Sequence, residues 1–451
     1  MENILPLLKC LESDIGGTRV RQLSRITQAM LAMTGRVTML GISRWTGFGG
    51  SYRTIQRFFY TALPWATLLW VFFRKYLWCR DETYLLAGDE VVVSKSGKKT
   101  HGLERFFSSI SGKSIPGLSF FALSLVSVEQ RHSFPVRLEQ TLLSEEEKEQ
   151  RALKAKTKKK KKKSKPGSAK NRGGRPRGSK TKKKTEVTMN PELLRIKGWI
   201  QALLKQLENL LPVRYLLLDG HFGNSKALLM ARQLNLHLIS KLRYDSALYL
   251  PYQNPDPTRK CRRKYGDKLS ISNIPAQFLK SSNEDGNYRS DIYQLQLLHK
   301  EFAQPLNVVI LVKTHQSTGS QSNIILFSSD LQLSELQLID YYSLRFQIEF
   351  NFRDAKQFWG LEDFMNTSQT AVTSAANLSF FMVNLSHYLL KDGLPFHQAK
   401  SILDLKAICR GSKYVEEIVK LLPEKPEPVL LVRIKQCISN LGRIHHSQPS
   451  H

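Results

Sequence analysis

SELQLIDYYSLRFQIEFNFRDAKQFWGLEDF, Ser334 to Phe364, is the stretch on which the reading of this 451-residue chain turns. It contains no Gly or Pro before Gly360, which predicts one long helix with Ser334 as its N-cap and Gly360 as its C-terminal break. At about 100° per residue, Tyr342, Arg345, Glu349, Arg353 and Lys356 fall within about 40° of one line, with Glu349 at the centre. Leu344, Ile348, Phe352, Ala355 and Trp359 make a core-facing stripe on one flank, and Phe346 and Phe350 lie on the other. Such a face is ordinarily solvated, with Glu349 paired to Arg345 and Arg353 at helical spacing. A single carboxylate among three cations and a phenol, between two apolar flanks, also makes a candidate site.

Composition narrows the partners. The chain is long enough for two or three domains, or for one large domain with insertions, and its 41% hydrophobic residues can form a core. Its formal charge of +30 points to a polyanion, with nucleic acid ahead of a membrane surface. Residues 151–185 hold 18 Lys and Arg and no acid, so the remainder carries 50 cations against 38 acids, or +12. Cys10, Cys79, Cys261, Cys409 and Cys437 form no CxxC pair, which argues against a zinc knuckle or disulfide framework and fits a reducing cytoplasm. No basic-then-apolar leader opens the chain, and the apolar run from Ala62 to Phe73 is too short to span a bilayer.

Residues 1–80 read as helical. Within them, GISRWTGFGGSYRTIQRFFY predicts a helix-turn-helix, with Gly47, Gly49 and Gly50 in the turn and Ser51 capping the second helix. Tyr52, Arg53, Gln56 and Arg57 would be its exposed reading residues. Next, YLLAGDEVVVS places Asp89, with Glu90 beside it, on a strand. FFSSISGKS and LSFFALSLVSV supply two more strands of a meander. The Lys158–Lys184 run has nothing to bury and reads as disordered; its Gly174-Arg175-Pro176-Arg177-Gly178 resembles an AT-hook, which would lay Arg175 and Arg177 in a narrow minor groove. Counterion release alone would equally make the run a nonspecific polyanion binder.

Further on, PELLRIKGWIQALLKQLENLL reads as an amphipathic helix, and VRYLLLDGHFGN as a buried strand that ends at Asp219. A helix and a strand follow, an α/β arrangement that puts a polar group beyond the strand ends. Asp219 as a plain helix cap is the competing reading. Residues 245–330 alternate like an antiparallel sheet, and helices follow Phe364.

The spacing Tyr342-x2-Arg345-x3-Glu349-x6-Lys356 resembles the Y-R-E-K pattern of the DDE transposases of bacterial insertion sequences, the IS-four-like group and its relatives. Asp89-x5-Lys95-x-Gly97-Lys98 resembles the first-acid segment of the same proteins. That resemblance implies an α/β fold: a ribonuclease-H-like catalytic core (81–244 and 331–365) with a β-rich insertion (245–330). It also implies a helical DNA-binding domain (1–80), a basic insertion (145–190) and a helical C-terminal region (366–451). It implies Asp89, Asp219 and Glu349 as catalytic residues and ligands of two Mg²⁺ or Mn²⁺ ions, hard cations suited to carboxylate oxygens. Tyr342, Arg345 and Lys356 would position phosphates. The implied activity is cleavage at the ends of an element and strand transfer into target DNA. Double-stranded DNA is then the partner, with a homodimer on it, in a prokaryotic cytoplasm near the nucleoid. Relatives that cut through a hairpin stack a base on a Trp of the insertion. No Trp lies in 245–330 here, so Tyr252, Tyr265, Tyr288 or Tyr293 would have to serve. A co-opted DNA-binding protein without catalysis and a nuclease that does not join strands are the alternatives.

Overall fold

The computed structural model describes residues 4–47, 49–108, 111–149, 153, 188–207, 210–253, 263–391 and 399–445. Nearly all of the Lys-rich run, with Arg175 and Arg177, lies outside them. By compactness the chain forms two units. One comprises Met1–Thr83, Asp89–Thr141 and Gln347–His451; the other comprises Tyr84–Gly88 and Leu142–Phe346.

The first unit opens with helices α1 (Leu5–Leu8), α2 (Glu12–Ala32), α3 (Met39–Trp45), α4 (Tyr52–Phe59) and α5 (Trp65–Tyr76). Helices α3 and α4 flank the Gly-rich segment as the sequence places them. Thr38 caps α3 by accepting from the Gly41 amide, and Ser51 caps α4 by accepting from the Thr54 amide. Gly47 and Gly49 turn the chain at φ +67° and +78°, in the left-handed region that favours glycine. Ile55, Phe58 and Phe59 bury one face of α4, which leaves Tyr52, Arg53 and Arg57 exposed on the other.

Strand β1 (Tyr84–Ser94) spans the boundary between the units, and its residues from Asp89 onward pair with β3 (Lys113–Ser127), which also pairs with β2 (Glu104–Ser108) and β4 (His132–Gln140). The expected meander is corrected: β1 pairs with β3 and not with β2, so β3 lies between them, and a further strand, β4, is added. The sequence reading misses that strand because Pro135 interrupts its run, and proline demotes a strand. The ladder absorbs it where the register shifts, between Leu123 and Ser124.

In the second unit, Tyr84–Gly88 of β1 pairs in parallel with β5 (Tyr215–Leu217), which pairs in parallel with β6 (His237–Leu242). Helices α6 (Pro191–Leu207) and α7 (Ser225–Gln233) accompany them. Past β6 the sheet turns antiparallel through β12 (Gln321–Ser328), β11 (Leu306–His315) and β10 (Tyr288–His299). Strands β7 (Leu248–Pro251) and β9 (Leu279–Asp285) both pair with β10, and β8 (Tyr265–Lys268) pairs with β7. The expected antiparallel region is present, and it continues the parallel strands in one mixed sheet.

The opening stretch is not one helix. It forms α8 (Glu335–Leu344) and α9 (Gln347–Gln357) on either side of Arg345-Phe346. Ser334 caps α8 as expected, accepting from the Gln337 amide. The break arises because the Arg345 and Phe346 amides bond the carbonyls of Tyr342 and Ser343, three residues back, which tightens the turn. The core stripe holds: Leu344, Ile348, Phe352, Ala355 and Trp359 are all buried, whereas Phe346 is half exposed. Gly360 has φ +78°, and a Cβ there would lie 2.4 Å from Val37 Cβ, so the end of the segment needs glycine. Helices α10 (Gln369–Lys391), α11 (Ile402–Leu421) and α12 (Pro428–Ser439) complete the first unit.

One buried polar link sets the height of α9. Asn351 Nδ2 donates to Ser133 Oγ at 2.9 Å and to Ser124 Oγ at 3.4 Å, and all three residues are buried. Asn351→Ala should cost about 1–3 kcal/mol, because it strands two buried hydroxyls. Chemical denaturation of the full chain reads that loss; a change within a few tenths of a kcal/mol would show that the link contributes nothing.

Candidate active site

In the first unit, the expected residues lie on β1 and α9. From Asp89 onward β1 alternates: Asp89, Val91 and Val93 share one face, and Glu90 and Val92 the other, and Lys95 follows the strand. Lys95 Nζ donates to the carbonyl oxygens of Glu362 (2.9 Å) and Phe364 (2.8 Å) and lies 3.7 Å from the centre of the Phe364 ring. Burial pushes its ammonium down to about 8, partly opposed by Asp363 and Glu362. Lys356 Nζ donates to the Val92 carbonyl at 3.0 Å and meets Glu362 Oε1 at 3.0 Å. The two lysines therefore fasten β1 to α9 and to the loop after it at two successive points.

Val92, bonded to Lys356, lies three residues after Asp89 on the strand, and Lys356 lies seven residues after Glu349 on the helix. Of the two neighbouring acids on β1, Glu90 accepts from the buried Ser119 hydroxyl of β3. Asp89 Oδ1 accepts from the Glu90 amide at 2.8 Å.

Arg353 takes no part in this arrangement. Its guanidinium lies 4.8 Å from the Phe350 ring centre and pairs with Asp354. A cavity of about 340 Å³ lined by Arg353, Asp354 and the stacked His132 and His387 opens there, and it includes neither Asp89, Glu349 nor Lys356.

In the second unit Asp219 follows the end of β5 and caps the short 3-10 turn Gly220–Phe222, with Oδ1 accepting from the His221 amide at 3.2 Å. It does not cap α7, where Asn224 does so instead. The buried Ser240 hydroxyl donates to the Asp219 carbonyl at 2.8 Å. Gly223 closes the turn over β6, where a Cβ would lie 2.1 Å from the Lys241 carbonyl oxygen. The Asp-Gly-His-Phe-Gly segment is thereby held at the strand end. Tyr342 and Arg345 lie at the end of α8, with the guanidinium 6.0 Å from the Tyr342 ring centre. The break at Arg345-Phe346 means that one straight helix does not carry the predicted five-residue stripe.

Asp89, Asp219 and Glu349 are half-buried carboxylates, hard oxygen donors of the kind Mg²⁺ and Mn²⁺ take. The donor chemistry fits divalent ions. Among the described residues, no three His, Cys, Asp or Glu side chains are grouped to hold an ion as they stand. Of the tyrosines offered as stacking platforms, Tyr252 lies under Arg263 at 4.6 Å, Tyr288 under Lys313 at 4.3 Å, and Tyr265 sits edge-on to Tyr249. No described helix is long and apolar enough to cross a membrane.

The two-point fastening separates Lys356 from Arg353 by experiment. Lys356→Met should cost about 1–3 kcal/mol of stability, because it removes charge-assisted hydrogen bonds to a part-buried strand. Arg353→Met, at an exposed ion pair, should cost under about 0.5 kcal/mol. Equal losses in denaturant melts would contradict the fastening.

A family model described as DDE superfamily endonuclease matches residues 6–290. The match takes in Asp89 and Asp219 and ends short of Glu349. No curated protein matches the chain. With well over half its length inside that match, including the strand of Asp89 and the strand end of Asp219, the chain belongs to the DDE superfamily endonucleases.

Proposed function

We propose that this protein is a transposase of the IS-four-like group, which cuts DNA at the ends of its element and joins those ends to target DNA. The observation that carries the reading is the register of the parallel pair β1 and β5. Leu86 pairs with Leu216 and Ala87 with Leu217, and each aspartate is the second residue beyond the last pair. Neighbouring parallel strands, one carrying an acid along its length and the other followed by an acid, with a third acid on a later helix, are what a ribonuclease-H-like catalytic core would need. The Lys356 contact to the Val92 carbonyl, which ties the helix of Glu349 to the strand of Asp89, supports Glu349 as that third acid.

In this reading Asp89, Asp219 and Glu349 together hold two Mg²⁺ or Mn²⁺ ions, whose contribution is to stabilise the attacking and leaving oxygens of in-line phosphoryl transfer. Arg345 and the Tyr342 hydroxyl orient a phosphate. Two acceptors engage Lys356, which leaves one of its three donors for a phosphate oxygen. Arg53 and Arg57, exposed on α4, contact double-stranded DNA, and the Lys-rich run with Arg175 and Arg177 adds counterion release. The chain acts as a homodimer on its two DNA ends.

Glu349→Gln tests the assignment. The amide keeps the shape and removes a negative ligand, so Mg²⁺-dependent cleavage of DNA carrying the element's ends should fall at least about a hundredfold. Folding and DNA binding should remain. If Glu349 only pairs with its helical neighbours, the substitution would cost a few tenths of a kcal/mol and leave cleavage at the wild-type rate. Products that are cut but never joined would favour the nuclease without strand transfer.

A further inference from the structure

Lys356 is held on two sides, and the two partners differ in kind. One is the Val92 carbonyl, fixed in β1; the other is the carboxylate of Glu362, with Oε1 at 3.0 Å from Nζ. The turn after α9 that carries Glu362 is pinned on both sides of it. Leu361 is fully buried, and its amide donates to the Ala355 carbonyl at 3.0 Å. The Asp363 carboxylate accepts from the Val37 amide at 2.9 Å, and Phe364 is buried with the Lys95 ammonium over its ring. Lys95 also holds the Glu362 carbonyl at 2.9 Å, so the backbone of Glu362 is fixed whatever its side chain does. That side chain is 45% exposed, against 22% for Lys356. The carboxylate can therefore swing into water without moving the turn.

An ion pair this exposed contributes little to folding, because water solvates the freed carboxylate nearly as well as its partner does. The ammonium stands differently: with most of its surface covered, it needs a counter-charge that the Val92 carbonyl alone does not supply. Glu362 thus serves Lys356 more than it serves the turn. Its carboxylate also matches a phosphodiester, one negative charge shared between two oxygens that accept from an ammonium. We infer that Glu362 occupies the seat of a DNA phosphate: in the free protein it keeps the Lys356 ammonium in place, and a backbone phosphate displaces it when DNA binds. The third donor of Lys356 gives the incoming phosphate its first contact. The inference rests on the proposed role of Lys356 as a phosphate ligand, and it adds the residue that sets how tightly that ligand takes DNA.

Fluorescence anisotropy of a labelled duplex carrying the element's ends tests it on the full chain, at about 0.15 M salt with EDTA in place of divalent ions. Glu362→Gln keeps the shape of the side chain and removes its charge. It should bind the duplex about three- to fivefold more tightly than the wild type. Its melting temperature should be no higher, a combination that a purely structural ion pair would not produce. Combined with Lys356→Gln, whose amide retains a donor for the Val92 carbonyl, the same change should alter affinity by less than about 1.5-fold. Lys356→Met repeats that comparison, so misfolding of one variant leaves the other. A Glu362→Gln protein that binds like the wild type would overturn the inference. So would equal tightening with and without Lys356, which would mean that Glu362 merely repels DNA. If Lys356→Gln binds as tightly as the wild type, the phosphate role of Lys356 fails and the displacement fails with it. Weaker binding by Lys356→Gln, with no coupling to Glu362, sinks the displacement alone. Cleavage with Mg²⁺ is read separately: coupling in a protein that never cuts supports the inference and sinks the proposed activity by itself.

Discussion

The ammonium of Lys356 on the carbonyl of Val92 is the contact on which the candidate site depends. Strand and helix are 264 residues apart in sequence at that point, and nothing local determines how one lies against the other. The second fastening, Lys95 onto the carbonyls of Glu362 and Phe364, ties the segment after β1 to the loop after α9 as well. A cation serves well here because backbone carbonyls at a strand's edge and after a helix are acceptors that burial would otherwise leave costly.

The same logic extends to the support of α9. Its apolar stripe is buried, Asn351 engages two buried serines, and Gly360 lets the chain turn against Val37. The Val37 amide in turn donates to Asp363 at 2.9 Å, and Lys406 and Arg410 of α11 donate to carbonyls at the end of α2. The helix-turn-helix, the strand of Asp89 and the helix of Glu349 are therefore parts of one packed unit. The helices proposed to contact DNA and two of the three candidate acids share a single core.

Much of this was legible in the residues, and the exceptions have physical causes. Ser334, Ser51 and Gly360 were readable because capping and positive φ each demand particular side chains. The stripe from Leu344 to Trp359 was readable from its period. The break at Arg345-Phe346 was not, since it contains neither Gly nor Pro and consists only of amides bonding three residues back instead of four. Strand β4 was hidden by Pro135, which a register shift accommodates. Asp219 offered two readings, a site acid or a helix cap, and it caps the short turn Gly220–Phe222. The contacts of Lys356 and Lys95 are tertiary, and no local pattern announces them.

The central claim is that Asp89, Asp219 and Glu349 are ligands of the same ions. Counting bound Mn²⁺ by paramagnetic resonance, on the protein saturated with DNA carrying the element's ends, tests it most directly. The account predicts two ions per chain in the wild type and a loss of at least one in each of Asp89→Asn, Asp219→Asn and Glu349→Gln. An unchanged count in any one of the three, with DNA still bound, would contradict it.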